Sequence, residues 1–337
     1  MRALLSRSPG GTDTLELAEV ANPVAGPGEL LIAIAACAIN YPDILVIEDK
    51  YQFRPERPFA PGSEISGTVI AVGDGVDGWQ PGDRAIALTG ASGGLAEMVA
   101  VPVGNAFHLP DGLPLIDASA LLMTYATSMH ALLDRGRLTA GNTLLVLGAG
   151  GGVGLSAVEL GVAFGARVIA AVSSEEKAAA ARAAGAHDVV LYGRGPFDRE
   201  QSRALADMFK AKVGPEGADV VYDPVGGDYA EPALRSIAWY GRYLVVGFPA
   251  GIPRLPLNLT LLKSCDVCGV FWGAFAGRDP AANAAHIDQL FQLWVAGKIR
   301  PLISAQYPLD RASTAMARLA ARDAVGKLVV TVDDSYD

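Results

Sequence analysis

The sequence is poor in cysteine and histidine, and it has no long apolar segment free of glycine. Three cysteines among 337 residues are too few for a disulfide framework and favour a reducing, cytoplasmic setting. The first ten residues, MRALLSRSPG, contain no apolar core of a secretory signal. The longest uncharged run, residues 138–158, could reach across a bilayer by length alone. It contains six glycines, so we expect no spanning helix there.

Positive charge is also scarce. Lysine and arginine total 27 against 36 aspartates and glutamates, and the net charge is −9. This balance disfavours a nucleic-acid or anionic membrane surface as the partner. Hydrophobic residues make up 51% and charged residues 19%, which is typical of an ordered globular protein. The length is sufficient for two domains.

Strand and helix patterns divide the chain into three parts. Residues 1–120 hold short segments such as ELLIAIAACAI and GTVIAVG between glycines and prolines, which predicts a compact, barrel-like, mainly β domain. Residues 121–264 alternate apolar strands with helices. That alternation predicts an α/β fold with a doubly wound parallel sheet, the dinucleotide-binding pattern. We expect residues 265–337 to complete the cofactor domain and return to the first domain.

Three local elements are predicted near the boundaries of these parts. The segment IDASALLMTYATSMHALLD has helical periodicity, with Asp117 as its N-cap. DVCGVFWG is interpreted as a strand, and DRASTAMARLAAR as an amphipathic helix. On helical spacing, Arg311, Arg318 and Arg322 would form one stripe of the latter.

The run LGAGGGVG follows the apolar strand NTLLV and precedes a helix. The strict fingerprint G-x-G-x-x-G fails from Gly148, because its sixth position is Val153. One residue later, Ala149, Gly151 and Gly154 give A-x-G-x-x-G. In this register Gly151 would let a pyrophosphate approach the backbone, and Gly154 would let the helix pack closely on the strand. An ordinary strand-to-helix turn is the alternative, but the surrounding βα units favour a dinucleotide.

The end of the next strand bears on which dinucleotide is bound. An NAD enzyme would place an acidic residue there to bind the ribose hydroxyls, whereas this chain has Ser173. Lys177, one turn further on, could pair with a 2′-phosphate. Glu175 and Glu176 argue against this, although acidic residues are common in a first helical turn. The residues therefore favour NADP over NAD.

The segment RLTAGNTLLVLGAGGGVGLSAVELGVAFGARVIAAVSSEEK resembles the cofactor domain of the zinc-free quinone oxidoreductases, a branch of the medium-chain dehydrogenase/reductase superfamily. NYPDILVIEDKYQ, PFAPGSEISGTVIAVG and PGDRAIAL resemble the catalytic domain of that branch, and the likeness extends over nearly the whole chain. It implies a GroES-like barrel domain, NADPH in a cleft beside the cofactor domain, and a homodimer for which DVCGVFWG is a plausible pairing strand.

The resemblance also implies which residues hold NADPH. A lysine and a tyrosine bind the 2′-phosphate in such proteins, and they match Lys177 and Tyr192. Arg322 is the nearest match to a C-terminal arginine that often joins them, with a solvated basic face as the alternative. The aromatic candidates could equally be core residues. The expected cofactor-binding set is Thr127, Ala149, Gly151, Gly152, Val153, Gly154, Ser173, Lys177, Tyr192, Gly247, Phe248, Phe271, Trp272 and Arg322.

Metal ligands are missing from the matching positions. Asn40 stands where zinc-dependent relatives have cysteine, and Ser63 where they have histidine; neither is a good zinc ligand. The structural-zinc lobe is also absent, so no metal is expected. In a strand, the side chains of Cys265 and Cys268 would point to opposite faces, which favours buried free thiols over metal or redox chemistry.

Without zinc, a developing oxyanion has to be stabilised by hydrogen-bond donors. The predicted catalytic residues are Asn40, Tyr41, Asp43 and Tyr51, with an orienting role for Asp43 as a strong alternative. The expected activity is hydride transfer from NADPH to quinones or α,β-unsaturated carbonyl compounds, with the proton coming from solvent or a tyrosine. Two alternatives stay open: an enoyl-thioester or acrylate-type reductase, and a non-catalytic NADPH-binding structural or regulatory protein.

Overall fold

The computed structural model describes residues 1–332. The chain forms two compact units. The first unit joins residues 1–123 to the chain that follows residue 300, and the second is Thr124–Arg300. The chain therefore passes from one unit to the other twice, after Met123 and after Arg300.

The first unit is mainly β. Up to the first crossing it comprises β1 (Arg2–Ser6), β2 (Leu15–Glu19), β3 (Glu29–Ala38), α1 (Tyr41–Ile47), β4 (Glu64–Val72), β5 (Arg84–Leu88), β6 (Met98–Pro102), β7 (Ala106–His108) and α2 (Leu115–Ala118). The central strand is β3, whose alanines, isoleucines and leucines are almost all buried. It pairs antiparallel with β4 on one side and, through residues 29–33, with β6 on the other. Strands β1 and β2 form a separate antiparallel ladder.

The second unit alternates strands and helices. It comprises α3 (Thr127–Met129), β8 (Thr143–Val146), α4 (Gly152–Ala163), β9 (Arg167–Val172), α5 (Glu175–Ala183), β10 (Asp188–Leu191), α6 (Arg199–Val213), β11 (Ala218–Asp223), α7 (Ala230–Arg235), β12 (Ile237–Val245), α8 (Asn258–Lys263), β13 (Asp266–Gly269), α9 (Trp272–Arg278) and α10 (Pro280–Val295). All six strands are parallel, in the order β10-β9-β8-β11-β12-β13. The order reverses between β8 and β11, where doubly wound sheets bind ligands. This confirms the predicted α/β doubly wound sheet.

The last part of the chain completes the first unit. It contains β14 (Ile303–Pro308), α11 (Ala312–Ala320) and β15 (Lys327–Thr331). Strand β15 pairs antiparallel with the end of β3 and parallel with β14. The sheet therefore runs β14-β15-β3-β4-β5-β7, with β6 also on β3. The C-terminal strand thus occupies an interior position of a sheet that is built mostly from the first hundred residues.

Several local predictions were wrong. Helix α1 was not predicted: it follows Asn40 and has proline in its first turn. Asp117 is not an N-cap: α2 begins at Leu115, directly after Pro114. Beyond α2 the segment continues as wide π-type turns on either side of α3, because its apolar residues are buried on several faces rather than along one stripe.

Two predicted elements near the C-terminus also end early. In DVCGVFWG the strand stops at Gly269, and Trp272 begins helix α9. Helix α11 stops at Ala320, and Arg322 has a φ of +62°. Arg322 is therefore off the predicted arginine stripe, because that backbone conformation does not continue a right-handed helix.

The run of residues 138–158 is divided between β8 and α4. Among residues 1–332, no helix is both long enough and apolar enough to cross a bilayer.

Candidate dinucleotide-binding and catalytic sites

The glycine loop joins β8 to α4, and each glycine meets a different constraint. Gly148 has a φ of +58°, and a Cβ at this position would lie 2.7 Å from Val225 Cγ2. A Cβ at Gly154 would lie 2.3 Å from the carbonyl oxygen of Gly148. At Gly151 the nearest atom is 3.7 Å away. The fold itself therefore requires glycine at 148 and 154, whereas the space beside Gly151 is open.

Helix α4 begins in this loop without a side-chain cap. Gly151 is its N-cap, with extended backbone and no side-chain hydrogen bond to the first turn. The N–H groups of Gly152, Val153 and Gly154 have no intrahelical acceptors, because four amides at any helix start are left unpaired. The adjacent Ala149 is buried and donates its N–H to the Ala171 carbonyl on β9. The helix start thus offers amides and a partial positive charge to an anion.

Lys177 lies over the loop from helix α5. Its backbone N–H donates to Ser174 Oγ, the N-cap of α5, at 3.3 Å. Its side chain crosses Gly150 so closely that a Cβ there would be 2.5 Å from both Lys177 Cβ and Cγ. Ser173, the predicted strand-tip residue, directly follows β9 and is half-buried. The structure thus brings Lys177 against the loop and leaves Ser173 beside the cap.

Tyr192 lies next to the other end of the loop. It follows β10, and its backbone N–H donates to the Val172 carbonyl at 2.9 Å. Its ring is 9% exposed and 5.0 Å from the ring of Tyr229. Burial raises the pKa of Tyr192, as does Tyr229, while a hydrogen bond with the backbone of Gly148 acts in the opposite direction. Lys177 and Tyr192 therefore both lie at the glycine loop, one at Gly150 and the other at Gly148.

The remaining cofactor candidates of this unit differ in exposure. Thr127 is half-buried at the start of α3, and Gly247 and Phe248 follow β12, with Phe248 exposed. Phe271 is exposed just before α9. Trp272 is 3% exposed and donates its indole N–H to Asn283 Oδ1 at 2.8 Å. Trp272 is thus buried in this unit, and its indole N–H is not available to a cofactor.

Sequence reasoning missed Asp223, the last residue of β11. Its carboxylate is buried and accepts hydrogen bonds from Val225 N, Gly226 N and Tyr243 Oη at 2.8, 2.8 and 2.5 Å. Burial raises the pKa of Asp223 against the effect of these bonds. Asp223 shapes the turn that carries Val225 against Gly148. An aspartate at the end of a buried strand and directly before PVGG was the available signal.

In the first unit, the side-chain amide of Asn40 is hydrogen-bonded to neighbouring residues. Its Nδ2 donates to the Ala38 carbonyl at 3.2 Å and to Glu64 Oε2 at 3.0 Å, while its Oδ1 accepts from Lys327 Nζ at 2.6 Å. Lys327 Nζ also lies 3.3 Å from Glu64 Oε2. Both amide protons of Asn40 are hydrogen-bonded within the first unit, which favours a structural role over the predicted role of oxyanion donor. Sequence reasoning missed Glu64 and Lys327.

Asp43 has an orienting role. Its Oδ2 accepts the backbone N–H of Asn40 at 2.7 Å, and its Oδ1 accepts from Ser63 Oγ at 2.8 Å. The first bond caps α1, and the second ties the helix to the segment before β4. Burial raises the pKa of Asp43 to about 6, against the lowering effect of both hydrogen bonds. Of the two interpretations of Asp43, this geometry favours the orienting one.

Tyr41 and Tyr51 retain uncommitted hydroxyl groups. Tyr41 is the first residue of α1, and Tyr51 lies after the helix; both are half-buried. Within residues 1–332 neither phenol is hydrogen-bonded to another side chain or to the backbone. Burial raises the pKa of Tyr51, and the Asp43 carboxylate contributes in the same direction. Of the four predicted catalytic residues, these two can donate a hydrogen bond to a ligand.

Cys37, Cys265 and Cys268 are free and buried. Cys265 precedes β13 and only Cys268 lies in the strand. The two side chains therefore do not point to opposite faces of one strand, as had been predicted. Burial raises the pKa of the Cys265 thiol. Over the described part of the chain, no group of three or more histidine, cysteine or acidic side chains could hold a metal ion.

Comparison with known proteins places the chain in a family. The pattern of the alcohol dehydrogenase GroES-like domain matches residues 26–111, and that described as zinc-binding dehydrogenase matches residues 152–287. A quinone oxidoreductase-like protein 2 homolog from Nematostella vectensis is 36% identical over 308 residues, which are 90% of this chain and 82% of that protein.

Two solved structures extend this likeness. A mycobacterial protein complexed with NADPH is 30% identical with a TM-score of 0.90, covering 98% of this chain and 100% of that one. The Escherichia coli quinone oxidoreductase complexed with NADPH is 26% identical with a TM-score of 0.89, at the same coverage. The chain therefore belongs to the medium-chain dehydrogenase/reductase superfamily of oxidoreductases and, within it, to the quinone oxidoreductase-like proteins.

Proposed function

We propose that this protein is an NADPH-dependent reductase that transfers hydride to quinones or α,β-unsaturated carbonyl compounds without zinc. The observation that carries the proposal is the placement of Lys177 and Tyr192 at the two ends of an uncapped glycine loop. The open space beside Gly151 and the unpaired amides of α4 fit a pyrophosphate. The cation of Lys177 and the phenol of Tyr192 fit a 2′-phosphate at the same loop.

The NADPH supplies the hydride, and the chain supplies hydrogen-bond donors. A carbonyl that accepts hydride develops negative charge on oxygen, which preorganised donors stabilise. Tyr41 and Tyr51 have the free hydroxyls for this purpose, whereas Asn40 and Asp43 organise the start of α1. A tyrosine hydroxyl can also pass its proton to the reduced product and recover one from solvent.

The donor set at the family's metal position is unsuited to zinc. Asn40 is engaged with Glu64 and Lys327, and Ser63 donates to Asp43. The Lys327 ammonium would also repel a divalent cation at Asn40. We expect metal analysis of the purified protein to find no stoichiometric zinc, and chelator treatment to leave turnover unchanged.

The protein is proposed to be a cytoplasmic homodimer that pairs through β13. This strand is at the edge of the six-stranded sheet, with Val267 41% exposed. Leu261 and Leu262, at the end of the preceding helix α8, are 77% and 61% exposed. An open strand edge beside exposed leucines fits a second copy of the chain. Sedimentation should give a dimer that Val267→Lys dissociates, whereas Val24→Lys, at an exposed site of the first unit, should leave it intact.

The test of the activity is NADPH oxidation, followed by nicotinamide absorbance, with quinones, enones and enoyl thioesters as acceptors. Faster oxidation with quinones or simple enones supports the proposal. Turnover confined to enoyl thioesters would replace it with the thioester-reductase alternative. Tight NADPH binding with no turnover on any acceptor would replace it with a non-catalytic binding protein.

A further inference from the structure

The first unit contains a buried ion pair. Glu64 is the first residue of β4 and is 0% exposed, and Lys327 is the first residue of β15 and is 4% exposed. Their charged atoms are 3.3 Å apart. Burying two charges costs desolvation free energy, so such a pair is weak evidence for stability by itself and is often replaceable by apolar residues. The atoms that the pair contacts point to a different purpose.

Apart from Glu64, the groups that the Lys327 ammonium contacts lie in the chain between β3 and α1. Besides Glu64, Lys327 Nζ donates to Asn40 Oδ1 at 2.6 Å and to the Ile39 carbonyl at 3.3 Å. Glu64 Oε2 accepts from Asn40 Nδ2 at 3.0 Å. The cation and the anion therefore hold the two ends of one amide, which allows only one orientation of the Asn40 side chain.

The position of Asn40 determines where α1 begins. Its backbone N–H is the group that Asp43 accepts, and its carbonyl accepts the Asp43 N–H at 3.0 Å. Tyr41 is the next residue in the chain. The second carboxylate oxygen of Glu64 accepts the backbone N–H of Met123 at 2.9 Å, so Glu64 also holds the chain at the last residue before the first crossing.

We infer that Glu64 and Lys327 are positioning residues for the reduction proposed above, acting through Asn40 on the start of α1 that carries Tyr41. The expected effect on kcat rests on the proposed function, whereas the expected effect on the structure at the start of α1 does not. Neither side chain reaches a substrate itself, because the buried carboxylate and ammonium are fully engaged within the first unit. They act by fixing the position of the Tyr41 hydroxyl, and stabilisation of an oxyanion depends on that position.

The decisive experiment compares Glu64→Gln, Lys327→Met and the double variant. Each single variant leaves one buried charge unpaired and should lower Tm, whereas the double variant removes both charges and should recover most of the loss. If the pair positions Tyr41, kcat of the double variant stays at least tenfold below wild type while the Kd for NADPH changes less than twofold. Lys327→Arg keeps the charge, so its kcat should be higher than that of Lys327→Met.

Two further measurements separate positioning from stability and from the proposed function. Ile32→Ala on β3 should lower Tm without changing kcat, because Ile32 is a buried core residue outside this network. Hydrogen exchange at the amides of Asp43 and Met123 should be faster in the double variant than in wild type. A double variant with wild-type kcat and wild-type exchange would overturn the inference. An inactive wild type would refute the proposed function, and the exchange comparison would still decide the positioning role.

Discussion

The side chain of Lys177 lies across Gly150 in contact so close that no other residue type fits at Gly150 without displacing the lysine. This contact places a cation from α5 on the glycine loop, which we propose binds the phosphates of NADPH. Lys177→Ala should therefore raise the Kd for NADPH at least tenfold and change the Kd for NADH less than twofold, because only NADPH carries the 2′-phosphate. Fluorescence titration measures both. Arg182→Ala on the same helix, whose guanidinium is near Glu175, is the matched control. An equal loss for both cofactors would refute NADPH selectivity.

The glycines of the loop should separate into two classes when changed to alanine. Gly154→Ala places a Cβ 2.3 Å from a backbone oxygen, so we expect a large loss of Tm. Gly151→Ala meets no atom closer than 3.7 Å and its backbone is extended, so its Tm should stay near wild type. Its Kd for NADPH should rise, because the added methyl occupies the space proposed for the pyrophosphate. Thermal unfolding and titration test the pair, and unchanged NADPH affinity in Gly151→Ala would contradict the loop's assignment.

The free phenols should matter more for turnover than for binding. Tyr41→Phe and Tyr51→Phe each remove one hydroxyl and should lower kcat by up to about 100-fold, as loss of an oxyanion donor does. The Kd for NADPH and Tm should remain close to wild type. Tyr240→Phe, an exposed position of the second unit, serves as the control. Steady-state kinetics with the best acceptor measures kcat of each variant. Full activity in both variants would show that neither tyrosine hydroxyl stabilises the oxyanion.

Glu159 should give the protein a stability that falls as pH rises. It accepts hydrogen bonds from Tyr125 Oη and, at 3.2 Å, from Arg300 N, and burial raises its pKa to about 7 from an ordinary value of 4.5. Between these pH values the unfolded chain has lost the proton and the folded chain retains it, so the free energy of unfolding decreases with pH and levels off above 7. The difference amounts to about 3 kcal/mol.

Urea unfolding at pH 5, 6, 7 and 8 tests this expectation. In Glu159→Gln the free energy of unfolding should lack the decrease with pH that Glu159 causes. The difference between variant and wild type should therefore favour the variant most at pH 8. Glu216→Gln, an exposed loop position, should keep the wild-type slope. Parallel curves for Glu159→Gln and wild type would show that Glu159 ionises normally in the folded protein.

The elements that follow from local pattern were predicted well. The glycine loop, β8, β9 and α4 have strong periodicity and turn signals, and they occupy the predicted places. Helix α1 was missed because its seven residues follow an asparagine and include a proline in the first turn, and both residue types are equally common in turns. The burial of Trp272 beside the exposed Phe271 could not be predicted, because two adjacent aromatic residues give no sign of which one is buried.

Contacts between residues far apart in the chain could not be predicted from the sequence. Asn40 has the chemistry of an oxyanion donor, and only the folded structure reveals that Glu64, 24 residues away, and Lys327, 287 residues away, use its amide. No periodicity links such positions. Tyr41 and Tyr51 differ from Asn40 because, within the described residues, their hydroxyl groups have no hydrogen-bond partner.

The place of β15 between β14 and β3 has a consequence for synthesis on the ribosome. The first unit emerges before the second, yet the end of its central strand lacks a neighbour until residues 327–331 have been made. The second unit is continuous in sequence and can complete its parallel sheet while β3 still awaits that neighbour. A nascent chain stalled before residue 327 would therefore expose an open strand edge at residues 36–38 of β3, and of the two units the one that begins first is finished second.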